Sequence, residues 1–206
     1  MKKGLYIVIE GTEGAGKTTQ LQKVKQYLED GGIDVLTSRE PGATPLGQEI
    51  RRILLDLTES PKLSTASQVM LFAAAYQHTL LQNIIPAIER GTWILSDRSN
   101  ISSFVYQREA EITQVLLEEN NKLCEPDLVF ILTTSYETYR NRVGNRTGYS
   151  NYKDDIAREQ HTFLTEGYNL YYQTHPNNTI MIDAERTEHE IFEEIISYLI
   201  VMGMHK

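Results

Sequence analysis

The sequence predicts an α/β fold: one five-stranded parallel sheet with helices on both faces, three layers in all. Three observations carry that prediction. Five short runs of Val, Ile, Leu and aromatic residues alternate with amphipathic stretches, an order that requires crossover connections and therefore parallel strands. A glycine-rich segment stands between the first strand and the first helix. An Asp-Arg pair closes the third strand, where an open parallel sheet places side chains at its carboxyl edge.

The elements follow in order. Leu5 to Glu10 reads as a strand, and after the glycine-rich turn an amphipathic helix runs from Thr18 to Leu28 and stops at Gly31-Gly32. Further strands are expected at Asp34 to Ser38, Trp93 to Ser96, Leu128 to Thr133 and Thr179 to Ile182. Helices are expected at Leu46 to Asp56, Ser64 to Arg90 with a kink at Pro86, Glu109 to Leu123, Ser135 to Val143, Asp154 to Tyr172 and Glu188 to Met202. Gly144 to Lys153 is poor in apolar residues and reads as a surface loop.

Composition narrows the function classes. The 206 residues suit a single domain, 1–206, and 40% hydrophobic with 23% charged residues is the balance of an ordinary globular chain. The net charge of -8 argues against a duplex-binding face, so no nucleic-acid partner is expected. No apolar run approaches the ~20 residues of a membrane span, and one cysteine, Cys124, makes no intrachain disulfide. With no leader-like opening, the expectation is a cytoplasmic protein without membrane partners. The five histidines lack paired ligand spacing, so zinc is not expected.

Gly11-Thr12-Glu13-Gly14-Ala15-Gly16-Lys17-Thr18 fits G-x-x-x-x-G-K-[ST], between a strand and a helix as a phosphate-binding loop requires. Its glycines let successive N–H groups point at phosphate oxygens, and the helix N-terminus adds positive partial charge. Lys17 supplies a full charge, the Thr18 hydroxyl suits Mg²⁺, and Thr19 completes the phosphate-binding set. The fold is thus of the P-loop NTPase type, which alone leaves motor, GTPase, transporter ATPase and small-molecule kinase open. Asp97 can hold Mg²⁺ or one of its waters and Arg98 can grip a second phosphate, although a surface ion pair reads the same way.

With Arg39-Glu40-Pro41-Gly42, Thr44-Pro45-Leu46-Gly47, Phe72-Ala73-Ala74, Gln77-His78, Ser102-Ser103, Tyr106-Gln107, Pro126-Asp127-Leu128 and Gly167-Tyr168 added, the chain resembles the bacterial thymidylate kinases over nearly its whole length. The resemblance implies transfer of the γ-phosphoryl of ATP to dTMP, with Mg²⁺, in a homodimer that pairs through helices. It implies an acceptor site of Glu40, Pro41, Arg51, Phe72, Arg98, Ser103, Tyr106 and Gln107, in which Phe72 stacks on the base, Tyr106 crowds the sugar 2′ position and Arg51 and Arg98 approach the acceptor phosphate. Phe72 equally suits the core of a long helix, and one of Arg51 and Arg52 is expected to be solvated. Gly144 to Lys153 matches the family's small lid. Since Glu13 stands in the loop where some members carry arginine, Arg142 and Arg146 are expected to join Lys17 and Arg98 as catalytic cations, against the alternative of a solvated helix face.

Departures fall in the acceptor pocket. The family pattern Phe-Ala-Ala-Asp-Arg is here Phe72-Ala73-Ala74-Ala75-Tyr76, without the arginine expected to address the base. Arg108 is one substitute for that charge. The alternatives to dTMP phosphorylation are therefore a kinase for another or modified deoxypyrimidine monophosphate and a noncatalytic nucleotide-binding module.

Overall fold

Strands β1 (Tyr6–Gly11), β2 (Val35–Arg39), β3 (Trp93–Asp97), β4 (Leu128–Thr133) and β5 (Thr179–Asp183) form one sheet in the order β2-β3-β1-β4-β5. Every neighbouring pair is parallel. The structure is a computed structural model, and it describes residues 3–56, 63–144 and 156–202. The α/β P-loop architecture expected from the sequence is therefore the one observed.

β1 from Tyr6 to Ile9 and β4 from Leu128 to Leu132 are apolar without interruption because both of their faces are covered. Alternation within β1 sends Tyr6 and Val8 to one side and Ile7 and Ile9 to the other. On the second side lie α1 (Lys17–Asp30) and α9 (Glu188–Met202), whose Leu21, Val24, Leu28, Ile191, Ile195 and Leu199 are buried against the sheet. On the first side lie α3 (Thr65–Thr79), α4 (Ile85–Glu89), α5 (Asn100–Tyr106), α6 (Ile112–Leu123), α7 (Tyr136–Gly144) and α8 (Arg158–Thr174). A short α2 (Pro45–Arg51) packs on α3 through Ile50 and Ala75. None of the described helices is long and apolar enough to cross a membrane.

Three departures from the sequence expectation have local causes. The helix expected from Ser64 to Arg90 is split by a π-helical turn at Leu80–Ile84, immediately before Pro86 in the first turn of α4. Proline has no N–H and its ring collides with the carbonyl four residues back, so the wider turn absorbs the break that a kink would otherwise take. A second π turn, Arg52–Asp56, ends the helix expected from Leu46. Asn100–Tyr106 is helical although no helix was expected there; Ser99 caps it by accepting from the Ile101 N–H at 3.2 Å. Of the expected lid, Gly144 ends α7 and residues 145–153 lie outside the described residues.

The close approach of β1 to β4 depends on Gly11. Its φ is +139°, and a Cβ there would sit 2.3 Å from the Leu132 carbonyl oxygen. Gly11→Ala is therefore expected to lower stability by about 2 kcal/mol or more, read as a lower urea midpoint; an unchanged midpoint would show that the strand end yields easily.

Candidate active site

The carboxyl edge of the sheet opens into a cavity of about 590 Å³. At its floor the chain leaves β1 and turns through the phosphate loop into α1. Lys17, the first residue of that helix, is buried, and its Nζ donates to the carbonyls of Gly11 (3.0 Å) and Thr12 (2.8 Å) while standing 4.0 Å from the Glu13 carboxylate. Burial, followed by the neighbouring Arg98, pushes its pKa below the ordinary lysine value. The Thr18 hydroxyl donates to Asp97 Oδ2 at 2.8 Å, joining the start of α1 to the end of β3.

Arg98 follows Asp97 with a φ of 75°, a left-handed backbone uncommon outside glycine. Its N–H donates to the Ile9 carbonyl, and its guanidinium donates to the Gly11 carbonyl (3.2 Å), the Ser102 hydroxyl (3.1 Å), the Tyr168 hydroxyl and the Glu13 carboxylate. Burial opposes its charge, but the Glu13 carboxylate leads the neighbours that outweigh burial and hold its pKa well above the ordinary arginine value. Beneath it Glu10 is fully buried. One Glu10 oxygen accepts from the Ser99 N–H (2.8 Å) and hydroxyl (3.2 Å); the other accepts from Ser102 (2.8 Å) and Tyr168 (3.0 Å) and lies 3.8 Å from Arg98.

Neither Glu10 nor Tyr168 had been assigned a role from the sequence. The available signal for Glu10 was a carboxylate inside an apolar strand directly before the loop; for Tyr168 it was Gly167. A Cβ at Gly167 would come within 2.8 Å of Arg108 Nη1 and 3.0 Å of Val105, so glycine lets α8 press on α5 and brings Tyr168 to the loop.

The acceptor-side residues Glu40, Pro41, Arg51, Phe72, Ser103, Tyr106 and Gln107 all line the same cavity, as do loop residues 13–19; Gly11 and Thr12 lie behind the loop as Lys17's acceptors. Leu55 and Tyr76 join them without having been assigned a role, as does Arg39 of the Arg39-Glu40-Pro41-Gly42 stretch. Arg51 donates to the Pro41 carbonyl at 3.2 Å, and the loop that follows is pinned to the α3 side by His78 against Thr44 (3.0 Å) and Asn83 against the Ala43 carbonyl (3.0 Å). Three buried polar atoms on this side lack a hydrogen-bond partner: Glu40 Oε2, Gln107 Oε1 and the Tyr106 hydroxyl. Burial pushes the Tyr106 hydroxyl well above the ordinary tyrosine range, against the pull of Arg98. Arg142 also lines the cavity, donating to the carbonyls of Gly14 (3.3 Å) and Ala184 (3.0 Å), while Arg146 lies outside the described residues.

A phosphate loop, a paired Thr18 and Asp97 and an aromatic-lined second compartment in one cavity can now be set beside known proteins. The thymidylate kinase family model matches residues 9–195. The chain is 37% identical over 199 residues to the thymidylate kinase of Hahella chejuensis, covering 93% of each. It is 34% identical over 202 residues to that of Acinetobacter baumannii, covering 95% of this chain and all of that one. Against the thymidylate kinase of Halothermothrix orenii it is 36% identical over 201 residues, 94% of this chain and 95% of that one.

The chain belongs to the thymidylate kinase family.

Within that family frame one expectation is corrected. Arg108 does not reach the cavity: its guanidinium lies 3.2 Å above the Phe163 ring, donates to the Val105 carbonyl and stands 3.7 Å from Glu166. An aromatic face and a carboxylate on α8 satisfy it better than a solvent-facing reach across α5 would. The family implies a divalent cation with its nucleotide, and the residues fit: Thr18 Oγ1 and Asp97 Oδ2 are hard oxygen donors side by side, a sparse set suited to Mg²⁺, which keeps waters and takes phosphate oxygens. Among the described residues no cluster of three carboxylate, histidine or cysteine side chains offers a rival metal cage.

Glu40 carries the pH dependence of the acceptor side. Burial raises its pKa from 4.5 to about 8, only partly countered by the nearby Thr79 and Ser38 hydroxyls. The folded protein thus holds a proton that the unfolded chain releases above 4.5, so stability falls as pH rises from there to about 8, by at most about 1.4 kcal/mol per pH unit. Urea unfolding should show Glu40→Gln gaining stability over the parent at pH 8.5 relative to pH 5; the same difference at both pH values would contradict this.

Proposed function

We propose that the chain transfers the γ-phosphoryl of ATP to the phosphate of dTMP, the reaction that feeds dTTP synthesis. The observation that carries this reading is that the loop's lysine and the aromatic acceptor compartment share one cavity, with Arg98 between them. The acceptor's phosphate already presents an ionised oxygen near neutral pH, so the protein needs no strong base; alignment and charge do the catalysis. In this reading loop N–H groups and Lys17 hold the donor phosphates, and Thr18 with Asp97 holds Mg²⁺, which when bound neutralises charge on them. Arg98 and Arg51 turn to the acceptor phosphate, where a planar fork fits phosphate oxygens. Phe72 stacks on the base, Tyr106 closes on the sugar, and Glu40, Pro41, Ser103 and Gln107 complete the acceptor wall. Arg142, spanning Gly14 and Ala184, stands on the donor side of the loop and steadies the bound ATP during transfer. Arg146 is assigned to the transferred phosphoryl.

We also infer that the chain works in the cytoplasm, without a nucleic-acid partner, as a homodimer paired through α3 and α6. Of the apolar residues on these helices, Val69 and Leu117 are buried within the chain, as are Leu80 and Ile84 just beyond α3. Met70, Leu81 and Val115 stay exposed, around a shallow groove formed by Ala73, Ala74, Gln77 and Leu116. An apolar stripe left over after the core is satisfied is what a second copy would cover.

Two measurements test these readings. Lys17→Ala should lower kcat by about a hundredfold or more with the circular dichroism spectrum unchanged; near-normal turnover would remove the lysine from its assigned role. Sedimentation at micromolar concentration should give twice the chain mass of 23.6 kDa, whereas a fully active monomer at all dilutions would show that pairing is neither formed nor needed.

A further inference from the structure

Two cations that the proposed reaction assigns to different substrates share one carboxylate. Arg98 donates from Nη2 to one oxygen of Glu13, and Lys17 Nζ stands 4.0 Å from the other. The opposite nitrogen of Arg98 is anchored in the protein: Nη1 donates to the Gly11 carbonyl (3.2 Å), to Ser102 (3.1 Å) and to Tyr168 (3.4 Å), and lies 3.8 Å from Glu10. One end of the guanidinium is therefore fixed to β1, α5 and α8, while the other meets the loop. The two carboxylates differ in the same way. Glu10 has no exposure, whereas the Glu13 side chain is 20% exposed, and Glu13, Lys17 and Arg98 all line the cavity.

A carboxylate with one oxygen toward each cation makes the pattern that a phosphate makes between a donor-side lysine and an acceptor-side arginine. We propose that Glu13 is a built-in counter-ion: in the free protein its carboxylate holds the anion position between Lys17 and Arg98, and the acceptor's phosphate must displace it from Arg98 Nη2 to bind. The proposal rests on the assignment of Arg98 to the acceptor phosphate. Nη1 keeps its protein partners through the exchange, so what moves is the loop carboxylate. One anion replaces another. Arg98 is satisfied in both states, and the phosphate's grip on it becomes the difference between two charge-assisted bonds instead of the whole of one. That cost falls on the phosphate alone, since a nucleoside without it leaves the pair of Arg98 and Glu13 in place.

The test measures the dissociation constants of dTMP and thymidine by calorimetry, with the full chain and no ATP. Their ratio isolates what the phosphate contributes, and any contact of Glu13 with the sugar cancels in it. Glu13→Gln removes the charge and keeps the shape, and should tighten dTMP relative to thymidine by about tenfold. Glu13→Ala, which removes the competing oxygens, should move the ratio the same way. A ratio that stays at the parental value in these variants overturns the proposal. So does one that moves against dTMP, which would make Glu13 a support for Arg98 and not its competitor. If Glu13→Gln fails to fold, Glu13→Ala decides, and failure of both to fold would also overturn the proposal, because a group exchanged on binding is not one the fold requires. A parent that binds thymidine as tightly as dTMP would instead overturn the assignment of Arg98 to the acceptor phosphate, so the two failures are distinguishable.

Discussion

The geometry of this site depends on one buried carboxylate. Glu10 sits at the end of β1 with no exposure, and its two oxygens collect the N–H and hydroxyl of Ser99, the hydroxyls of Ser102 and Tyr168, and the charge of Arg98. A charge in that position is tolerable only because every direction around it is occupied by a donor, and removing one partner of a buried ion pair costs about 3–5 kcal/mol. The network joins β1 to the start of α5 and to the middle of α8. It also gives Arg98 a reason to keep a left-handed backbone, since that turn lets its N–H reach Ile9 and its side chain return over the strand end. Arg98 is thus positioned in part by a carboxylate buried beneath the loop.

The same accounting explains how the loop's cations are satisfied. Lys17 donates to Gly11 and Thr12, and Arg98 donates to Glu13, so each cation has a partner of the protein's own. Lys17's charge is opposed by burial and by Arg98 a short distance away, which makes the lysine's charge costly until anions arrive. Binding phosphate relieves that cost, and relief of a cost already present in the free protein favours the bound state as surely as a new contact does.

Much of this was legible in the sequence, and the unreadable part has a physical pattern. All five strands lie within a residue of where they were expected at either end, because each is a short run rich in β-branched and other apolar residues bounded by turn residues, the buried β1 and β4 most clearly. The loop was readable because its function fixes residues at consecutive positions. Local interruptions were not: a π turn changes hydrogen-bond register without changing the apolar spacing that betrays a helix, so Leu80–Ile84 looked like more of α3. The seven-residue α5 was hidden for the opposite reason, being too short to show a period. Glu10 escaped because its hydrogen-bond partners are 89 to 158 residues away in sequence. Arg108 was misjudged because sequence shows a charge but not the Phe163 ring that receives it.

Those limits bear on how the two ends of the cavity should be compared. The phosphate loop itself is built from backbone and from residues adjacent in sequence, so its own chemistry follows from the local pattern and changes little while that pattern holds. The base end is assembled from separate elements: the segment after β2, α3 and the end of α5, whose contributions at Glu40, Tyr76 and Gln107 meet only in the folded chain. A substitution there leaves the loop and its charges untouched. Tyr76 shows the consequence, since its hydroxyl is satisfied by Tyr6 in the core and its ring is free to form a wall, stability and pocket shape being met by different parts of one side chain. Phosphoryl transfer asks only that the acceptor phosphate be aligned with the donor, so the base compartment can be rebuilt residue by residue within a conserved transfer geometry.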